Sequence, residues 1–416
     1  MNGDLTPYDH PMHSPDTPTS EISATNAIST ASPTHLKWQE NGHDCEDEWR
    51  SERGAPVPKR VVLADDTLTA DAAYRLACEG TGLLWRGDFQ NARLLLQALA
   101  RRCDAPKKVK RATKLNAEVS HTPQENFHLH RQAQSQRART LSMILIQINP
   151  DRQISLRRAP DWRAAMKEAW GPAGTTGCVT SLRELLGLVG AHEWHEKGME
   201  ISALGNSPHN RIHPSYGVFS PVRGEYIQLV ADAPLPSTEL AFDIGVGTGV
   251  LSAVLAKRGV KRVVGTDLDP RALACAKENT LRLGLSERIE LVQANLFPEG
   301  KAPLVVCNPP WLPARASAPI ERAIYDENSA MLKGFLAGLA AHLAPKGEGW
   351  LILSDLAEHL GLRSRAELEE WIAAGGLKVI GRLDTKAEHK KVQDETDPLH
   401  AARAAEVTSL WRLAAL

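Results

Sequence analysis

Four consecutive residues that follow an apolar run are the best candidates for chemistry: Asn308, Pro309, Pro310 and Trp311. The prolines stiffen the turn and direct the side-chain oxygen of Asn308 and the carbonyl of Pro309 into a crevice. Two such acceptors would hold the two N–H bonds of a planar amino group, while Trp311 stacks on the attached π-system. The alternative is a strand-ending turn with a Trp in the core. The run therefore indicates binding of a planar amine.

A glycine-rich loop, DIGVGTG at 243–249, separates an apolar run from a helical one. Its glycines, Gly245, Gly247 and Gly249, allow a sharp turn and let a ligand lie against the backbone. The dinucleotide fingerprint would need a further glycine where this chain has Val250, so a nicotinamide or flavin site is not predicted.

A carboxylate, Asp267, follows the next apolar run along the chain. A carboxylate held at a strand end accepts hydrogen bonds from both hydroxyls of a ribose. The alternative role, capping of the following helix, is already supplied by Asp269. Asp267 is therefore predicted to bind a ribose.

The region after Leu235 alternates short apolar runs with amphipathic helical segments. Five strands with helices between them are predicted at 240–246, 262–268, 289–295, 304–310 and 350–356. Two further strands, at 377–384 and 406–413, are predicted to close the chain as a hairpin without an intervening helix. This alternation is typical of a doubly wound parallel α/β sheet, which binds its ligand at the carboxyl ends of the strands.

With these motifs in this order, residues 215–416 resemble a class I S-adenosylmethionine-dependent methyltransferase. The resemblance implies a seven-stranded Rossmann-like sheet, S-adenosylmethionine as cofactor, and a catalytic role for the four residues 308–311. It also implies a set of cofactor contacts. These are Asp243, Gly245, Gly247 and Gly249 at the methionine part, Asp267 at the ribose, Asn295 at the adenine amino group, and Asn308 in its second role as a cofactor residue.

The segment just upstream, 212–230, resembles the stretch that precedes the glycine loop in amino-methyltransferases. It is loosely similar to the Pro-Arg-x-x-Glu stretch of release-factor glutamine methyltransferases. Phe219 and Arg223 would then line the cofactor pocket; the alternative is a structural linker.

The N-terminal half divides into a tail and a domain. Residues 1–57 hold ten acidic and three basic side chains, so a disordered acidic tail is predicted. Residues 58–210 are predicted to form a mixed α/β domain that recognises the substrate, and 211–416 the methyltransferase domain. The predicted elements of the N-terminal domain are helices at 69–80 and 88–101, a buried strand within 141–148, a strand over 154–162 and a helix over 164–170.

Two polar stretches of this domain could bind ligands. Residues 101–140 carry ten basic and three acidic side chains, with KKVKR at the centre, which fits a phosphate-tracking surface or a solvated face. The HEWHE run at 192–196 lacks the helical HExxH spacing, so no metal is predicted.

The whole chain has 416 residues, 42% of them hydrophobic, with 49 basic and 50 acidic side chains. It shows neither a secretory signal nor an apolar run long enough to span a membrane, and its six cysteines form no CxxC pair, so a cytoplasmic protein without a membrane partner is predicted. The favoured substrate is an exocyclic amine of a base in RNA, with ribosomal RNA or a ribosomal particle as partner. The alternatives are a protein glutamine amide and a cofactor-binding regulator without catalysis.

Overall fold

In the computed structural model of the chain, the described residues are 34–105, 121–317, 319–386 and 390–416. Contacts group His35–Leu416 into one compact unit. Most of the predicted acidic tail, residues 1–33, and the KKVKR centre of the basic stretch, within 106–120, lie outside the described residues.

The N-terminal half forms a six-stranded mixed sheet. Its strands are β1 (His35–Glu40), β2 (His43–Trp49), β3 (Arg60–Ala64), β4 (Thr81–Trp85), β5 (Ile144–Ile148) and β6 (Cys178–Ser181). Its helices are α1 (Ala70–Cys78), α2 (Phe89–Asp104), α3 (Pro123–Leu141), α4 (Arg163–Trp170) and α5 (Leu182–Lys197). The strand order is β1-β2-β6-β5-β4-β3, with β3, β4 and β5 parallel. Helices α1, α2 and α4 and the buried strand β5 are thereby confirmed.

The predicted tail is wrong over residues 35–49, which form the hairpin β1–β2. In β1, Leu36 and Trp38 are buried while their neighbours face outward, so a short strand is present despite the polar composition of the whole segment. Asn41 and Gly42 make the turn with positive φ angles of 52° and 78°, as an Asn-Gly hairpin requires. Composition averaged over 57 residues conceals this local alternation.

The strand predicted over 154–162 is also wrong, because that segment runs as turns and irregular backbone. Arg158 has a φ of 57°, in the left-handed region, which an extended strand does not allow. Its guanidinium donates to Asp88 at 2.7 Å, so this segment is folded back onto the start of α2.

The C-terminal half forms the predicted doubly wound sheet. A small two-stranded sheet of β7 (Met199–Glu200) and β8 (Arg211–Ile212) leads into it. The seven strands are β9 (Leu240–Ile244), β10 (Arg262–Asp267), β11 (Ile289–Gln293), β12 (Ala302–Cys307), β13 (Leu343–Ser354), β14 (Leu377–Lys386) and β15 (Val407–Ala415). The helices are α6 (Glu225–Asp232), α7 (Val250–Lys257), α8 (Pro270–Arg282), α9 (Ala330–His342), α10 (Leu356–His359), α11 (Arg365–Ala374) and α12 (His400–Ala405).

Their order is β11-β10-β9-β12-β13-β15-β14, parallel except for β15, which runs antiparallel to both neighbours. Strands β9, β10 and β11 are added in order toward one edge of the sheet, and β12 then lies on the other side of β9. The expected ligand crevice therefore lies at the carboxyl ends of β9 and β12, where this order changes. The predicted terminal hairpin is confirmed as a strand pair, but the prediction that no helix separates its strands is wrong, because α12 lies in the connection.

Both faces of this sheet are covered, which explains why its central strands are apolar throughout. In β12, Leu304 and Val306 pack with α7, whereas Val305 and Cys307 pack with α9 on the opposite face. The C-terminal core also includes Ile201, so it begins before the predicted boundary at residue 211. Among the residues that the structure describes, no helix is both long and apolar enough to cross a membrane.

Candidate active site

The glycine loop joins β9 to α7 at the carboxyl edge of the sheet. Gly245, Gly247 and Gly249 have φ angles of 76°, 54° and 81°, all in the left-handed region. A Cβ on Gly249 would lie 3.2 Å from the Cβ of Ala276, so this glycine also permits close packing against α8. At Gly247 the nearest atom to such a Cβ is 3.9 Å away, so the loop faces open space there. The middle of the loop is therefore free to receive a ligand.

Asp267, the last residue of β10, contacts this loop directly. One carboxylate oxygen accepts from the backbone N–H of Gly247 at 3.0 Å, and the other accepts from Asp269 N–H at 3.0 Å. Burial raises the pKa of Asp267, although these backbone donors favour the ionised form. Asp269 caps α8 as predicted, accepting from Arg271 N–H at 2.9 Å.

Asp243 lies within β9, beneath the loop, and is only 1% exposed. Its carboxylate accepts a 2.6 Å hydrogen bond from the hydroxyl of Ser252 on α7. Burial raises the pKa of Asp243 to about 6, partly offset by the Ser252 bond. The carboxylate thus supports the start of α7 from inside the fold, and its direct contact with a cofactor stays a prediction.

Asn308 and Trp311 stand where β12 ends, next to the glycine loop of β9. The indole N–H of Trp311 donates to the Oδ1 of Asn308 at 2.9 Å. Pro309 is buried, while Asn308, Pro310 and Trp311 are half-buried. Because an indole nitrogen only donates, this bond identifies the oxygen of the amide and fixes its direction. Trp311 is therefore also a support for Asn308, a role that the sequence did not predict.

Arg223 lies over Trp311, with its guanidinium carbon 5.1 Å from the ring centroid. The same guanidinium donates twice to Glu406, at 2.9 and 2.8 Å, and lies 3.4 Å from Glu225. Arg223 is thus placed against the 308–311 motif. Sequence reasoning missed Glu406, because nothing in its local sequence marks it.

The two other predicted cofactor residues lie on connections. Phe219 is half-buried between β8 and α6, and Asn295 is exposed just after β11, at the same sheet edge as Asp267. Their contacts with a cofactor stay predictions. The upstream segment is held near the loop by Asn279 of α8, which accepts from His213 N–H at 2.7 Å and donates to the Thr248 carbonyl at 3.1 Å. Asn279 is a second residue that the sequence did not indicate.

A connection follows the motif, described over 312–317 and 319–325 and including the short 3-10 helix Pro319–Ala323, and α3 of the N-terminal half packs on it. Phe127 packs with Leu312 in one apolar cluster. Arg131 lies 4.0 Å from the ring centroid of Tyr325 and 3.8 Å from the carboxylate of Glu321. The N-terminal domain therefore holds the loop that borders the candidate site.

The HEWHE run lies on α5. His195 faces Glu168 at 3.7 Å and Glu278 at 3.5 Å, and His192 bonds to Glu168. Over the described ranges, no group of three or more His, Cys, Asp or Glu side chains is arranged to hold a metal ion. These contacts join α5 to α4 and α8.

The strand order, the glycine loop and the carboxylate at the end of β10 are the features expected from the resemblance to class I S-adenosylmethionine-dependent methyltransferases. A family model described as ribosomal protein L11 methyltransferase (PrmA) matches residues 228–310, a segment that contains the loop, Asp267 and Asn308. The match ends at Pro310. It therefore includes Asp243, the glycine loop, Asp267, Asn295 and Asn308, whereas Phe219, Arg223 and Trp311 lie outside it.

Curated relatives match the same part of the chain. The ribosomal protein L11 methyltransferase of Yersinia pestis is 36% identical over 138 residues, which is 33% of this chain and 44% of the relative. That of Escherichia coli (strain SMS-3-5 / SECEC) is 33% identical over 137 residues, with the same coverage of both chains. The chain thus spans less than half the length of these relatives.

The solved structures that the chain matches include the ribosomal protein L11 methylase from Lactobacillus delbrueckii subsp. bulgaricus. It is 18% identical, with a TM-score of 0.33, over 48% of this chain and 83% of the other. A methyltransferase from Pyrococcus furiosus is also 18% identical, with a TM-score of 0.34, over 48% of this chain and 91% of the other.

Proposed function

We propose that this protein transfers a methyl group from S-adenosylmethionine to the nitrogen of a planar amino group, with an exocyclic amine of a ribosomal RNA base as the favoured acceptor. The observation that carries the proposal is the fixed amide oxygen of Asn308 at the end of β12, beside the glycine loop. An amide oxygen has two lone pairs, and the Trp311 bond uses one of them. The second lone pair can accept a hydrogen bond from an N–H of the amine that receives the methyl group.

The residues present fit the cofactor. Gly247 faces open space, and Asp267 ends β10 at the same edge with its carboxylate on the loop. When bound, S-adenosylmethionine supplies a methyl group activated by a positively charged sulfur. Gly245, Gly247 and Gly249 would hold the methionine part against the backbone, and Asp267 the ribose hydroxyls, in line with the match to the family model.

The chain's own groups then act on the acceptor nitrogen. The lone pair of a planar amine is delocalised, and N–H bonds to Asn308 Oδ1 and the Pro309 carbonyl would orient that nitrogen toward the methyl carbon. As the bond from nitrogen to the methyl carbon forms, the bond from that carbon to the cofactor sulfur would break, with its electron pair kept by the sulfur, and the two oxygens would stabilise the positive charge that develops on nitrogen. A proton leaves the methylated nitrogen for solvent. Catalysis is by orientation and electrostatics, without a covalent enzyme intermediate.

A ribosomal acceptor is supported by two features. The curated relatives are named for a ribosomal protein, and residues 101–140 of the N-terminal domain carry ten basic and three acidic side chains, with arginines among the basic ones. A base in RNA is favoured because such arginines contact phosphates well. A ribosomal acceptor also agrees with the predicted cytoplasmic location.

A second candidate is a glutamine amide of a protein, since this group offers the same planar amine. The specific observation in its favour is the protein substrate in the names of the relatives. The third alternative, a regulator without catalysis, is disfavoured because the glycine loop, Asp267 and the Asn308–Trp311 pair all have an intact geometry.

The test is transfer of a labelled methyl group into ribosomal particles from cells lacking the gene, followed by separate ribonuclease and protease digestion. Label released by ribonuclease supports the RNA proposal, and label released only by protease supports the glutamine alternative. The Asn308→Ala variant is the matched control. Cofactor binding without transfer to either fraction would contradict the proposal.

A further inference from the structure

We propose that Arg223 and Glu406 are positioning residues for methyl transfer, which act through Trp311 to orient the amide of Asn308. The inference rests on the proposed function, since it takes Asn308 as the residue that binds the acceptor amine. It adds Glu406 and gives Arg223, which the sequence places in the cofactor pocket, a different role; both residues lie outside residues 228–310, which the family model matches.

The first link is the bond from the indole of Trp311 to Asn308 Oδ1, at 2.9 Å. This bond holds only while the indole ring keeps its orientation. A rotation of the ring would free the Asn308 amide to turn and present its NH2 group, which is a donor and cannot bind an amine N–H. The orientation of Trp311 therefore decides which end of the amide faces the acceptor.

The second link is Arg223, which covers one face of the Trp311 ring at 5.1 Å from guanidinium carbon to centroid. Stacking requires a fixed guanidinium plane, and a bidentate carboxylate fixes such a plane. Glu406 supplies it, with N–O distances of 2.9 and 2.8 Å. The side chain of Arg223 is 18% exposed and that of Glu406 is fully buried, so solvent does not compete for this pair.

The third link anchors Glu406 to the sheet. Its carboxylate also accepts a 2.6 Å hydrogen bond from the hydroxyl of Ser354, the last residue of β13, and Glu406 itself directly precedes β15. Strand β13 is the neighbour of β12, which ends at the motif. These contacts form a relay from the carboxyl end of β13 to the side chain that binds the amine. Its members are Ser354, Glu406, Arg223, Trp311 and Asn308.

A purely structural ion pair would also place Arg223 and Glu406 together, so the test must separate the two roles. Lysine in place of Arg223 keeps the charge but loses both the planar stack and the two-point contact. A structural pair predicts a loss of stability alone. A positioning pair predicts in addition a changed Trp311 environment and a lower turnover at unchanged cofactor affinity.

The chain offers a matched control on the same domain. Arg365 lies 4.9 Å from the ring centroid of Trp411, which Arg382 also covers at 5.1 Å, and its Nε donates to both carboxylate oxygens of Glu358, so it is an arginine, indole and carboxylate arrangement outside the 308–311 motif. Arg365→Lys should therefore reproduce any general effect of losing such a stack, without an effect on turnover.

The first measurement is a ¹H–¹⁵N spectrum of the tryptophan indole groups in the full-length protein, which needs no acceptor. The Trp311 signal is assigned with Trp311→Phe, and Asn308→Ala shows its shift when the bond is lost. We expect Arg223→Lys and Glu406→Gln to move this signal in the same direction as Asn308→Ala, and Arg365→Lys to leave it in place. An unmoved Trp311 signal in both variants overturns the relay.

The second measurement is methyl transfer from labelled S-adenosylmethionine to ribosomal particles from cells lacking the gene. We expect Arg223→Lys to lower kcat by about 10- to 100-fold with the KM for S-adenosylmethionine unchanged. In combination with Trp311→Phe it should add no further loss, because both changes break one relay. Multiplicative losses overturn the inference. If the wild-type protein transfers no label, the proposed function fails, whereas the indole spectrum still decides whether the relay exists.

Discussion

Two strand-to-helix junctions, one in each half of the chain, differ in the space that they leave beside a glycine. In the N-terminal domain, β4 leads into α2 through Gly87 and Asp88; in the C-terminal domain, β9 leads into α7 through the glycine loop. A Cβ on Gly87 would lie 2.5 Å from the carboxylate of Asp66, whereas one on Gly247 would meet no atom nearer than 3.9 Å. Asp66, from the connection after β3, fills the space at Gly87, whereas the space at Gly247 is open.

The buried carboxylates of the two junctions differ in the same way. Asp88 accepts from Arg158 at 2.7 Å, lies 2.8 Å from Arg157 and caps α2. These arginine contacts lower the pKa of Asp88, with the Arg158 hydrogen bond as the main cause. Asp243 is equally buried but is bonded by Ser252 rather than by an arginine, and burial raises its pKa to about 6.

The comparison shows how an α/β sheet can use one kind of junction for two purposes. An ion-paired carboxylate and filled space support the N-terminal junction, whereas the C-terminal junction holds a carboxylate with a raised pKa and leaves open space beside Gly247. The following predictions test this division, from the largest expected effect to the smallest.

If the open junction serves chemistry, removal of the adjacent Asn308 should affect turnover above all. We expect Asn308→Ala to lower kcat by about 10³-fold, or roughly 4 kcal/mol in activation free energy, because the acceptor nitrogen loses orientation and charge stabilisation. The dissociation constant of S-adenosylmethionine, measured by calorimetry, should change little. Unchanged turnover would remove Asn308 from the mechanism.

Asp243 should make the C-terminal domain less stable at neutral pH than in mild acid. Its pKa in the folded protein is about 6, against an ordinary value of 3.8, so its contribution to stability is fully present below about pH 4 and is lost as the pH rises through 6. The complete shift corresponds to about 3 kcal/mol. Asp243→Asn, whose amide oxygen still accepts from Ser252, should not show this loss.

The measurement is the free energy of unfolding in urea for both proteins across this pH range. The stability of the variant relative to the wild type should increase between pH 4 and pH 7, on the order of 3 kcal/mol at most. A constant difference across the range would show that Asp243 is not the titrating group.

A matched pair of glycine substitutions separates filled space from open space. Gly87→Ala should destabilise the protein by about 1–3 kcal/mol, since its Cβ would collide with Asp66, and should leave cofactor affinity unchanged. Gly247→Ala should cost only about 1 kcal/mol, for its φ of 54°, but weaken binding of S-adenosylmethionine at least about tenfold. The reverse pattern, read by thermal unfolding and calorimetry, would contradict the assignment of the two junctions.

The smallest expected effect is at Asp88. Asp88→Asn keeps an oxygen to cap α2 but leaves Arg157 and Arg158 without their carboxylate. The effect should be small because both arginine side chains are largely exposed. The midpoint of thermal unfolding should fall by several degrees at pH 7 and by less in acid, since a lowered pKa gives stability that is lost as the pH falls. Turnover per folded molecule should not change, and a loss of turnover would give the N-terminal junction a functional role.

The sequence alone indicated the C-terminal sheet, because most of its strands contain a short apolar run and several of its turns are marked by Gly, Pro or Asp. It also indicated the glycine loop, Asp267 and the 308–311 motif, since the residue types at these sites are dictated by local backbone geometry. It failed for β1, where two inward side chains, Leu36 and Trp38, are enough to make a strand in a polar segment.

Tertiary structure alone decided how these sites are supported. Asn279 joins the upstream segment to the glycine loop, α3 holds the loop after the motif, and Glu406 reaches Trp311 through Arg223. The two partners in each of these contacts lie far apart in sequence, so no local sequence pattern predicts the contact. Local sequence specifies backbone shape and burial, whereas the direction of a side chain such as Asn308 depends on contacts that exist only once the sheet has brought distant strand ends together.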